Sequence, residues 1–464
     1  MKINRESSNA FIESKISNYS FTRINESKIS DRLKNLSLLK GLIQSSEKRI
    51  IQALQEDLGK PELEIYSSEI APVLHEIDIF IKNLADWSAP TRRRSAFWTL
   101  THFGASSWVQ HHSVGRVLII GPWNYPFNLC LMPLIAAYAC GNEVSLKTSE
   151  FAPATSKLLK ELMREWNQDN VELIEGDSIV AAELCKKPWG HIFFTGGTEV
   201  GRKVMRAAAE TLSPVTLELG GKSPCILDES VDLEVALRRI LWAKFYNAGQ
   251  TCIAPDYLLL PQSLFDSVVK ISGKILKEFF GARAIESHDL ARIINKRHYD
   301  RLQSLLKEGR LLLGGESSPL QLKIAPSLLT DLSESSPLMQ EEIFGPLLPL
   351  IPYQNLGEAI QQIESRPPPL AFYIFSNDSQ VQGRLLNGIR AGGVCINDCL
   401  VHFANSQLPF GGFRESGIGA YHGEESFRIF THRKAVEKKS LWGDIKLRYP
   451  PYKIKLNKLM KKFI

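Results

Sequence analysis

The sequence predicts an α/β fold built on parallel β-sheet. Short apolar runs of strand character alternate with runs of helical periodicity between residues 114 and 219, and the loops between them are short. A second block of the same kind begins at Ser223. Strands that alternate with helices over short connections form a parallel sheet with helices on both faces. Such sheets bind ligands at the carboxyl ends of their strands, so the residues that follow each strand are the candidates for function.

The N-terminal part of the chain predicts helices, because apolar residues recur three and four positions apart over residues 34–51 and 70–87. Residues 90–113 differ, since they are rich in aromatic and basic side chains. They predict an extended arm or hairpin. An arm that packs on a partner surface and an ordinary edge hairpin both fit this composition.

The strands and helices of the two blocks follow in order. In the first block we expect strands at residues 115–120, 143–147, 171–174, 191–194 and 215–219, and helices at 127–139, 153–166, 179–185 and 199–211. In the second block we expect strands at 224–227 and 257–260 and helices at 233–245, 264–279 and 296–307, before mixed strands to about residue 410. Gly220 and Gly221 mark the turn at which we place the boundary between the blocks.

Composition excludes several classes of protein. A chain of 464 residues with 44% hydrophobic and 23% charged residues is typical of a globular protein of two or three domains. Its seven cysteines have no paired spacing, which favours a reducing, cytoplasmic compartment over a disulfide framework. No CxxC or HExxH motif occurs, so no metal site is expected. We expect no signal peptide, because the N-terminus is polar and lacks a continuous apolar run, and no membrane span, because the longest apolar run, 129–140, is too short.

Three candidate residues suit covalent catalysis. Cys252 lies on a loop directly after a predicted helix, although a free cysteine is more often buried and inert than catalytic. Asn124 lies in the Pro-rich turn 122–126, which suits a preorganised oxyanion donor and is also common in ordinary turns. Glu218 ends an apolar strand, where a carboxylate either pairs with Lys222 or has the raised pKa that suits a general base.

Two other strand ends suit a dinucleotide. Gly196 and Gly197 join a strand to a helix, where exposed backbone N–H groups favour a phosphate, although a plain tight turn fits as well. Lys147 and Glu150 suit a ribose, or they form an ordinary ion pair that caps the next helix. No GxGxxG fingerprint follows the first strand, so a dinucleotide would bind in a different mode.

Taken together, these segments resemble the NAD(P)-dependent aldehyde dehydrogenase superfamily over roughly residues 20–440. The blocks PWNYPF, LKTSE, FFTGGTEVG, LELGGKSP, GQTCIAPDY, EEIFGP and LPFGG occur in the order of that family. The segments CIAPDY, RPPPLAFY, SGIGAYHG and RYPPY are most similar to the class-3 group, which includes fatty aldehyde dehydrogenases. Two positions depart from the pattern: Thr148 replaces the usual proline of LKPSE, and Arg414 replaces the class-3 glycine.

The resemblance implies an aldehyde dehydrogenase-like α/β fold with several parts. A Rossmann-type cofactor domain would cover residues 1–219 and carry a small oligomerisation arm at about 91–113. An α/β catalytic domain would cover 220–412, and 413–440 would return to the cofactor and oligomerisation region. The basic tail would be 441–464. The implied partners are a small aldehyde and a second copy of the chain, since a homodimer is expected.

The resemblance also implies a reaction. Cys252 would attack the aldehyde carbon, the Asn124 amide and the Cys252 N–H would hold the oxyanion, and Glu218 would activate water to hydrolyse the thioester. The substrate would be a medium- or long-chain aliphatic or an aromatic aldehyde. NAD would be the cofactor, with NADP also accepted. The implied cofactor-binding residues are Trp123, Lys147, Glu150, Gly196, Gly197, Glu342 and Phe344.

Two other functions compete with this interpretation. A sister enzyme would pass the acyl group to coenzyme A or phosphate, but such enzymes commonly lack the general-base glutamate, and Glu218 is present. A non-catalytic binding protein would keep the fold without the chemistry. The presence of Cys252, Asn124 and Glu218 together argues against it.

The C-terminal tail carries the whole net charge of +6, since residues 441–464 hold seven Lys or Arg and one Asp. A neutral body argues against a nucleic-acid partner. Leu, Met, Phe and Ile alternate with the lysines, so a solvated end and reversible docking on an anionic membrane both fit. Docking predicts liposome binding that weakens with salt and disappears when residues 446–464 are deleted. Salt-independent binding, or none, would contradict docking.

Overall fold

The computed structural model describes residues 27–94, 105–442, 444 and 449–451. The predicted arm at 91–113 lies partly outside the described residues, and the basic tail lies mostly outside them. In the described part of the chain, no helix is long and apolar enough to cross a bilayer. The same residues contain no cluster of three or more His, Cys, Asp or Glu that could hold a metal ion.

The described chain begins with a group of helices. They are α1 (Ile29–Ser45), α2 (Glu47–Leu58), α3 (Glu62–Ile65), a π-helical turn at Tyr66–Ile70, and α4 (Ala71–Ser88). The helical region predicted over 34–51 is confirmed, and Ser46, which has a ψ of 7°, divides it between α1 and α2. Leu36, Leu54 and Phe80 point from these helices into the main core.

The first large sheet has six strands in the order β17-β7-β6-β3-β4-β5. All pairs are parallel except β17 with β7. The strands are β3 (Arg116–Ile120), β4 (Glu143–Lys147), β5 (Val171–Ile174), β6 (His191–Thr195), β7 (Val215–Glu218) and β17 (Gly417–Ile418). The helices between them are α5 (Asn128–Ala139), α6 (Pro153–Trp166), α7 (Ser178–Cys185) and α8 (Thr198–Ala209).

The second large sheet has seven strands in the order β10-β13-β14-β9-β8-β15-β16. The strands are β8 (Pro224–Leu227), β9 (Tyr257–Pro261), β10 (Arg310–Leu313), β13 (Ser327–Thr330), β14 (Leu347–Tyr353), β15 (Ala371–Phe375) and β16 (Gly393–Ile396). The helices are α9 (Leu233–Phe245), α10 (Phe265–Phe280), α11 (Lys296–Leu305), α12 (Pro337–Gln340), α13 (Leu356–Glu364), α14 (Ser379–Gly388) and α15 (Val401–Ala404). The chain changes sheets between Glu218 and Pro224, at the predicted glycine turn.

Two small sheets complete the fold. One has the order β1-β2-β18, where β1 is Thr91–Arg93, β2 is Ala105–Ser113 and β18 is Thr431–Lys439. The chain reaches β18 through α16 (Gly423–Ile429), so the segment after residue 413 pairs with both the first sheet and the small sheet. The other is the hairpin of β11 (Ser317–Ser318) and β12 (Lys323–Ile324).

The register of the first sheet brings several candidate residues to one edge. Thr195 at the end of β6 pairs with Glu218 at the end of β7, and Ile120 of β3 pairs with Lys147 of β4. Because these neighbours are parallel, their carboxyl ends emerge together. The turns that contain Asn124 and Gly196 follow β3 and β6 at this edge.

Candidate active site

Two cavities meet at the side chain of Cys252. One, of about 200 Å³, we call the apolar cavity; its lining includes Tyr125, Leu129, Trp242, Leu400, Phe403 and Phe410. The other, of about 290 Å³, we call the strand-end cavity; its lining includes Trp123, Asn124, Gly196, Gly197, Gly220, His298, Arg301, Glu342 and Phe344. Thr195, Glu218 and Cys252 line both. A group that reacts at Cys252 can therefore be reached from either side.

The loop at residues 246–252, which we call the nucleophile loop, turns sharply after α9. Asn247, Ala248 and Gly249 all have left-handed φ angles, of 51°, 52° and 74°. This conformation costs roughly 1–2 kcal/mol for a residue with a Cβ atom. Gly249 also lies so close to the carbonyl of Gly345 that no side chain fits between them. The turn thus packs the nucleophile loop directly on the backbone beside the strand-end cavity.

Side-chain amides hold the nucleophile loop in place. Asn247 Nδ2 donates to the backbone carbonyl of Asn124 at 2.9 Å. Gln250 Nε2 donates to the carbonyl of Arg292 at 3.0 Å, and Gln250 Oε1 accepts from the N–H of Ile294 at 3.0 Å. Asn247 and Gln250 are fully buried, so these bonds form away from competing water. The loop is fixed before any ligand arrives.

The Asn124 side chain is oriented by the same loop. Its Nδ2 donates to the backbone carbonyl of Gln250 at 3.0 Å, and a carbonyl can only accept. Because of this bond, the NH₂ end of the amide faces the loop. One of its two N–H groups is occupied by the Gln250 carbonyl, and the other is left over. Asn124 is buried and lines the strand-end cavity together with Cys252. The second N–H is the donor that an oxyanion beside the sulfur would need.

Glu218 is buried at the end of β7 between the two cavities. Neither carboxylate oxygen has a hydrogen-bond partner among the residues that the structure describes. The alternative ion pair with Lys222 does not form, because Lys222 pairs with Asp256. Burial raises the pKa of Glu218 well above its ordinary value. Glu218 can act as a base only in its ionised form, which burial makes less favourable.

Cys252 differs from the other cysteines in its exposure. It is half-buried, whereas the remaining six are buried: Cys130, Cys140, Cys185, Cys225, Cys395 and Cys399. Burial and the nearby carboxylates of Glu342 and Glu218 raise the pKa of Cys252 above its ordinary value. The backbone N–H groups of Cys252 and Ile253 face the sulfur and oppose that rise. The thiol is therefore largely protonated at neutral pH.

The strand-end cavity has an aromatic and acidic wall. The rings of Trp123 and Phe344 are T-shaped, with centroids 5.2 Å apart, and the His298 ring lies 5.1 Å from that of Trp123. Glu342 packs against the backbone of Gly220, where any side chain would collide with the carboxylate. Its Oε1 has no partner within the described chain, and burial raises the pKa of Glu342 to about 8. An unpartnered acceptor in this position fits the hydroxyl groups of a ribose.

Gly196 and Gly197 lie in the turn from β6 to α8. A Cβ atom at Gly197 would have no described protein atom within 4 Å, so the turn borders open space. Gly197 is the N-cap of α8 and has no side chain to cap it, while the N–H of Gly196 donates to the Glu218 carbonyl at 2.9 Å. The first N–H groups of a helix have no partner within the helix and favour a phosphate. The residues of this cavity therefore fit a dinucleotide, with its pyrophosphate at the helix start.

Lys147 and Glu150 lie at the end of β4 but do not line either cavity as described. Lys147 Nζ donates to Glu150 Oε2 at 2.9 Å, so the ion pair expected as an alternative is present. Thr148 is buried, and its hydroxyl bonds to Ser156 at 2.5 Å without disturbing this pair. Arg414 has a φ of 60°, the left-handed geometry that suits the glycine it replaces.

Sequence analysis missed several residues of the site. Thr195 lines both cavities, and its hydroxyl has no partner in the described structure. Arg301 on α11 lines the strand-end cavity and donates to the carbonyl of Ile343 at 2.6 Å. Asp256 pairs with Lys222 and accepts from the N–H of Ile343 at 3.0 Å. The last two lie on segments remote in sequence from the turn that they stabilise, and no local pattern connects them.

Comparisons with known proteins identify the family of the chain. The sequence model of the aldehyde dehydrogenase family matches residues 5–436. The chain is 45% identical over 423 residues to aldehyde dehydrogenase family 3 member A2 of Pongo abelii, covering 90% of this chain and 87% of that protein. It is 44% identical to the dimeric NADP-preferring aldehyde dehydrogenase of Rattus norvegicus, with coverage of 92% and 94%. The substrate-bound structure of Staphylococcus aureus AldH superimposes with a TM-score of 0.91 at 41% identity, covering both chains completely.

The electrostatics of the site predict how Cys252 reacts with pH. Because its pKa is raised, alkylation by iodoacetamide should still accelerate above about pH 9, beyond the midpoint of an ordinary thiol. Glu342 ionises near pH 8, so Glu342→Gln removes a negative charge only above that pH and should speed alkylation there, with little change at pH 6–7. Mass spectrometry of the Cys252 peptide measures the rates.

The matched control for this prediction is Glu210→Gln, which removes an exposed acid from the end of α8. It should leave the pH profile unchanged. A wild-type rate that reaches its plateau by pH 8.5 would contradict the raised pKa.

Proposed function

The chain belongs to the aldehyde dehydrogenase family, and from this premise we propose that it oxidises apolar aldehydes to carboxylic acids through a thioester on Cys252. As a member of the family it is an NAD(P)-dependent oxidoreductase that acts on aldehydes. The substrate class and the course of the reaction are our proposals.

One observation carries the proposal: a half-buried thiol and an unpartnered carboxyl group lie where the two cavities join. A substrate in the apolar cavity and a cofactor in the strand-end cavity would approach Cys252 from different sides. Both would also be within reach of Glu218, which lines the same junction.

In the first step the Cys252 thiol loses its proton to solvent water, and the sulfur forms a bond to the aldehyde carbon. The carbonyl oxygen becomes an oxyanion, which the second N–H of Asn124 and the backbone N–H of Cys252 would stabilise. Such donors act most strongly when they are already oriented, because no reorganisation is needed as the charge develops. The bond from Asn124 to the Gln250 carbonyl supports this role, since it fixes the amide in advance.

NAD(P)⁺, when bound, supplies the hydride acceptor that converts the Cys252 adduct into a thioester. Trp123, Phe344 and Glu342 would hold the nicotinamide end, and Gly196 and Gly197 would hold the pyrophosphate. Lys147 and Glu150 would bind the adenosine ribose. The Glu150 carboxylate favours a free 2′-hydroxyl over a phosphate, so we propose that NAD is preferred and NADP accepted.

In the second step the ionised form of Glu218 accepts a proton from water as the water oxygen attacks the thioester. The bond between carbon and sulfur breaks, Glu218 returns the proton to the sulfur, the carboxylic acid leaves, and the Cys252 thiol is restored. Burial raises the pKa of Glu218, which makes its ionised form a stronger base for this proton. Its presence favours hydrolysis over transfer of the acyl group to coenzyme A or phosphate.

The apolar cavity indicates the substrate class. None of its described lining residues is Lys or Arg, and Glu218 is the one carboxylate among them. An aldehyde that carries a second charge would lose its hydration without gaining a partner there. Aliphatic or aromatic aldehydes fit this lining, which supports the medium- and long-chain substrates expected from the sequence.

We also propose that the chain works as a homodimer in the cytoplasm. Support comes from the word dimeric in the name of the rat relative and from unpaired cysteines that suit a reducing compartment. Sedimentation of the purified chain measures the assembly, and a stable monomer at micromolar concentration would contradict the dimer.

The role of Glu218 predicts a separation of the two steps. Glu218→Gln should form about one equivalent of NADH per site and then turn over at least ~100-fold more slowly, because hydrolysis loses its base. Stopped-flow absorbance with a saturating alkanal measures both phases. Cys252→Ala is the control and should give neither phase. An undiminished steady-state rate in Glu218→Gln would exclude this role.

The lining of the apolar cavity predicts selectivity. For a series of unbranched alkanals, kcat/KM should rise by roughly fourfold per methylene until the cavity is filled, because each buried methylene contributes ~0.8 kcal/mol. Semialdehydes of equal length that end in a carboxylate should react far more slowly. Steady-state NADH and NADPH formation measures the series with each cofactor. Equal kcat/KM for the charged and uncharged aldehydes would refute the proposed substrate class.

A further inference from the structure

We propose that Lys60, with its ion-pair partner Glu69, is a positioning residue that fixes the Asn124 amide for the oxyanion. The inference rests on the proposed function, because it explains how the Asn124 amide, the proposed oxyanion donor, is held in position. Lys60 lines neither cavity in the described structure, so it acts through Asn124 and not on the substrate.

Lys60 is buried and donates from Nζ to the backbone carbonyl of Asn124 at 2.9 Å. Its ammonium group also lies 3.8 Å from the centre of the Tyr125 ring and pairs with the Glu69 carboxylate. A charged donor bonds a carbonyl more strongly than a neutral donor does. The backbone at Asn124 is therefore held by an ammonium group that is itself held by the Tyr125 ring and the Glu69 carboxylate.

Glu69 holds the other end of the same turn. Its Oε2 accepts from the N–H groups of Phe127 and Asn128, at 3.2 and 3.0 Å, where α5 begins. The ion pair thus binds a carbonyl at the start of this turn and two N–H groups at its end. Because a rigid segment spans from Lys60 to Glu69, the turn between strand β3 and helix α5 has little freedom to rotate.

The segment that carries this pair also contacts the nucleophile loop. Glu64 accepts from the backbone N–H of Asn247 at 2.9 Å, and the hydroxyl of Ser67 lies 2.7 Å from that of Tyr246. The Asn124 carbonyl that accepts from Lys60 accepts from Asn247 as well. The turn between β3 and α5, residues 121–127, we call the oxyanion turn. One oxygen atom, the carbonyl of Asn124, therefore connects this turn to the nucleophile loop and to the Lys60 ammonium.

Desolvation argues that this pair does more than fill space. Removing two charges from water is costly, and apolar residues of the same volume often stabilise a core equally well. An apolar pair could not bond the Asn124 carbonyl or the two N–H groups at the start of α5. The specific property of Lys60 and Glu69 is this directional hold on the backbone, which fixes the oxyanion donor.

The test begins with Lys60→Met, which keeps the length of the side chain and removes the charge. We expect kcat to fall about 10–100-fold, while KM for the alkanal and for NAD changes less than about twofold. This split follows because an oxyanion contact exists in the transition state and not in the bound substrate. A kcat within twofold of wild type would overturn the proposal.

A double-mutant cycle distinguishes positioning from general loss of stability. In an Asn124→Ala background, Lys60→Met should lower kcat by less than about twofold, because the group that it positions is gone. A full additional loss would show that Lys60 acts by another route and would overturn the proposal. The melting temperature of each variant is measured alongside.

Lys60→Met leaves Glu69 buried without its cation, so Lys60→Met with Glu69→Gln tests the same idea in a fold without that defect. This double variant should regain thermal stability and keep the low kcat. Recovery of kcat with stability would overturn the proposal. The matched control is Asp57→Asn, because Asp57 is another buried carboxylate, and it accepts from Ala154 and Thr155 at the start of α6. It should lose stability and keep its kcat at saturating NAD.

The outcomes also separate this inference from the proposed function. A wild-type chain that makes no NADH from any alkanal would overturn the proposed function. An active wild type and an equally active double variant would overturn only the role of Lys60.

Discussion

Desolvation at the junction of the two cavities is the constraint on which the rest of the site depends. Glu218, Cys252 and Glu342 are acidic groups in buried surroundings, and burial raises the pKa of each. All three are therefore harder to ionise than they would be in water. A ligand that supplies hydrogen-bond donors would favour the charged forms that the proposed reaction uses.

Such a site functions only if its hydrogen-bond donors are already in position. The structure meets this need by bonding loops to one another and not only to the sheets that carry them. Asn124 Nδ2 donates to the Gln250 carbonyl, and Asn247 Nδ2 donates to the Asn124 carbonyl, so two bonds join the oxyanion turn to the nucleophile loop. Asp256, four residues after the nucleophile loop, accepts from the N–H of Ile343, beside Glu342. Strain in the left-handed turn is thus offset by many buried bonds.

The sequence predicted most of the fold because its signals were local. Strands from Glu143 to Lys147 and from Val171 to Ile174 match the prediction, since each is a short apolar run between turn residues. The break at Ser46 was missed because the apolar period continues across it. The family resemblance identified most candidate residues, but it did not identify the residues that hold them in position. Lys60 lies 64 positions from Asn124, and only the folded chain brings them together.

The sharing of just three described residues by the two cavities has a consequence for how this chain can diverge. Replacements at Trp242, Leu400 or Phe403 reshape one cavity and leave the lining of the other intact. With the aldehyde in the apolar cavity and the cofactor in the strand-end cavity, as proposed above, selection can retune which aldehyde is accepted without altering recognition of the cofactor. Thr195, Glu218 and Cys252 have no such latitude, because each belongs to both sides. Residues that line only one cavity can therefore vary independently, whereas the three that line both cannot.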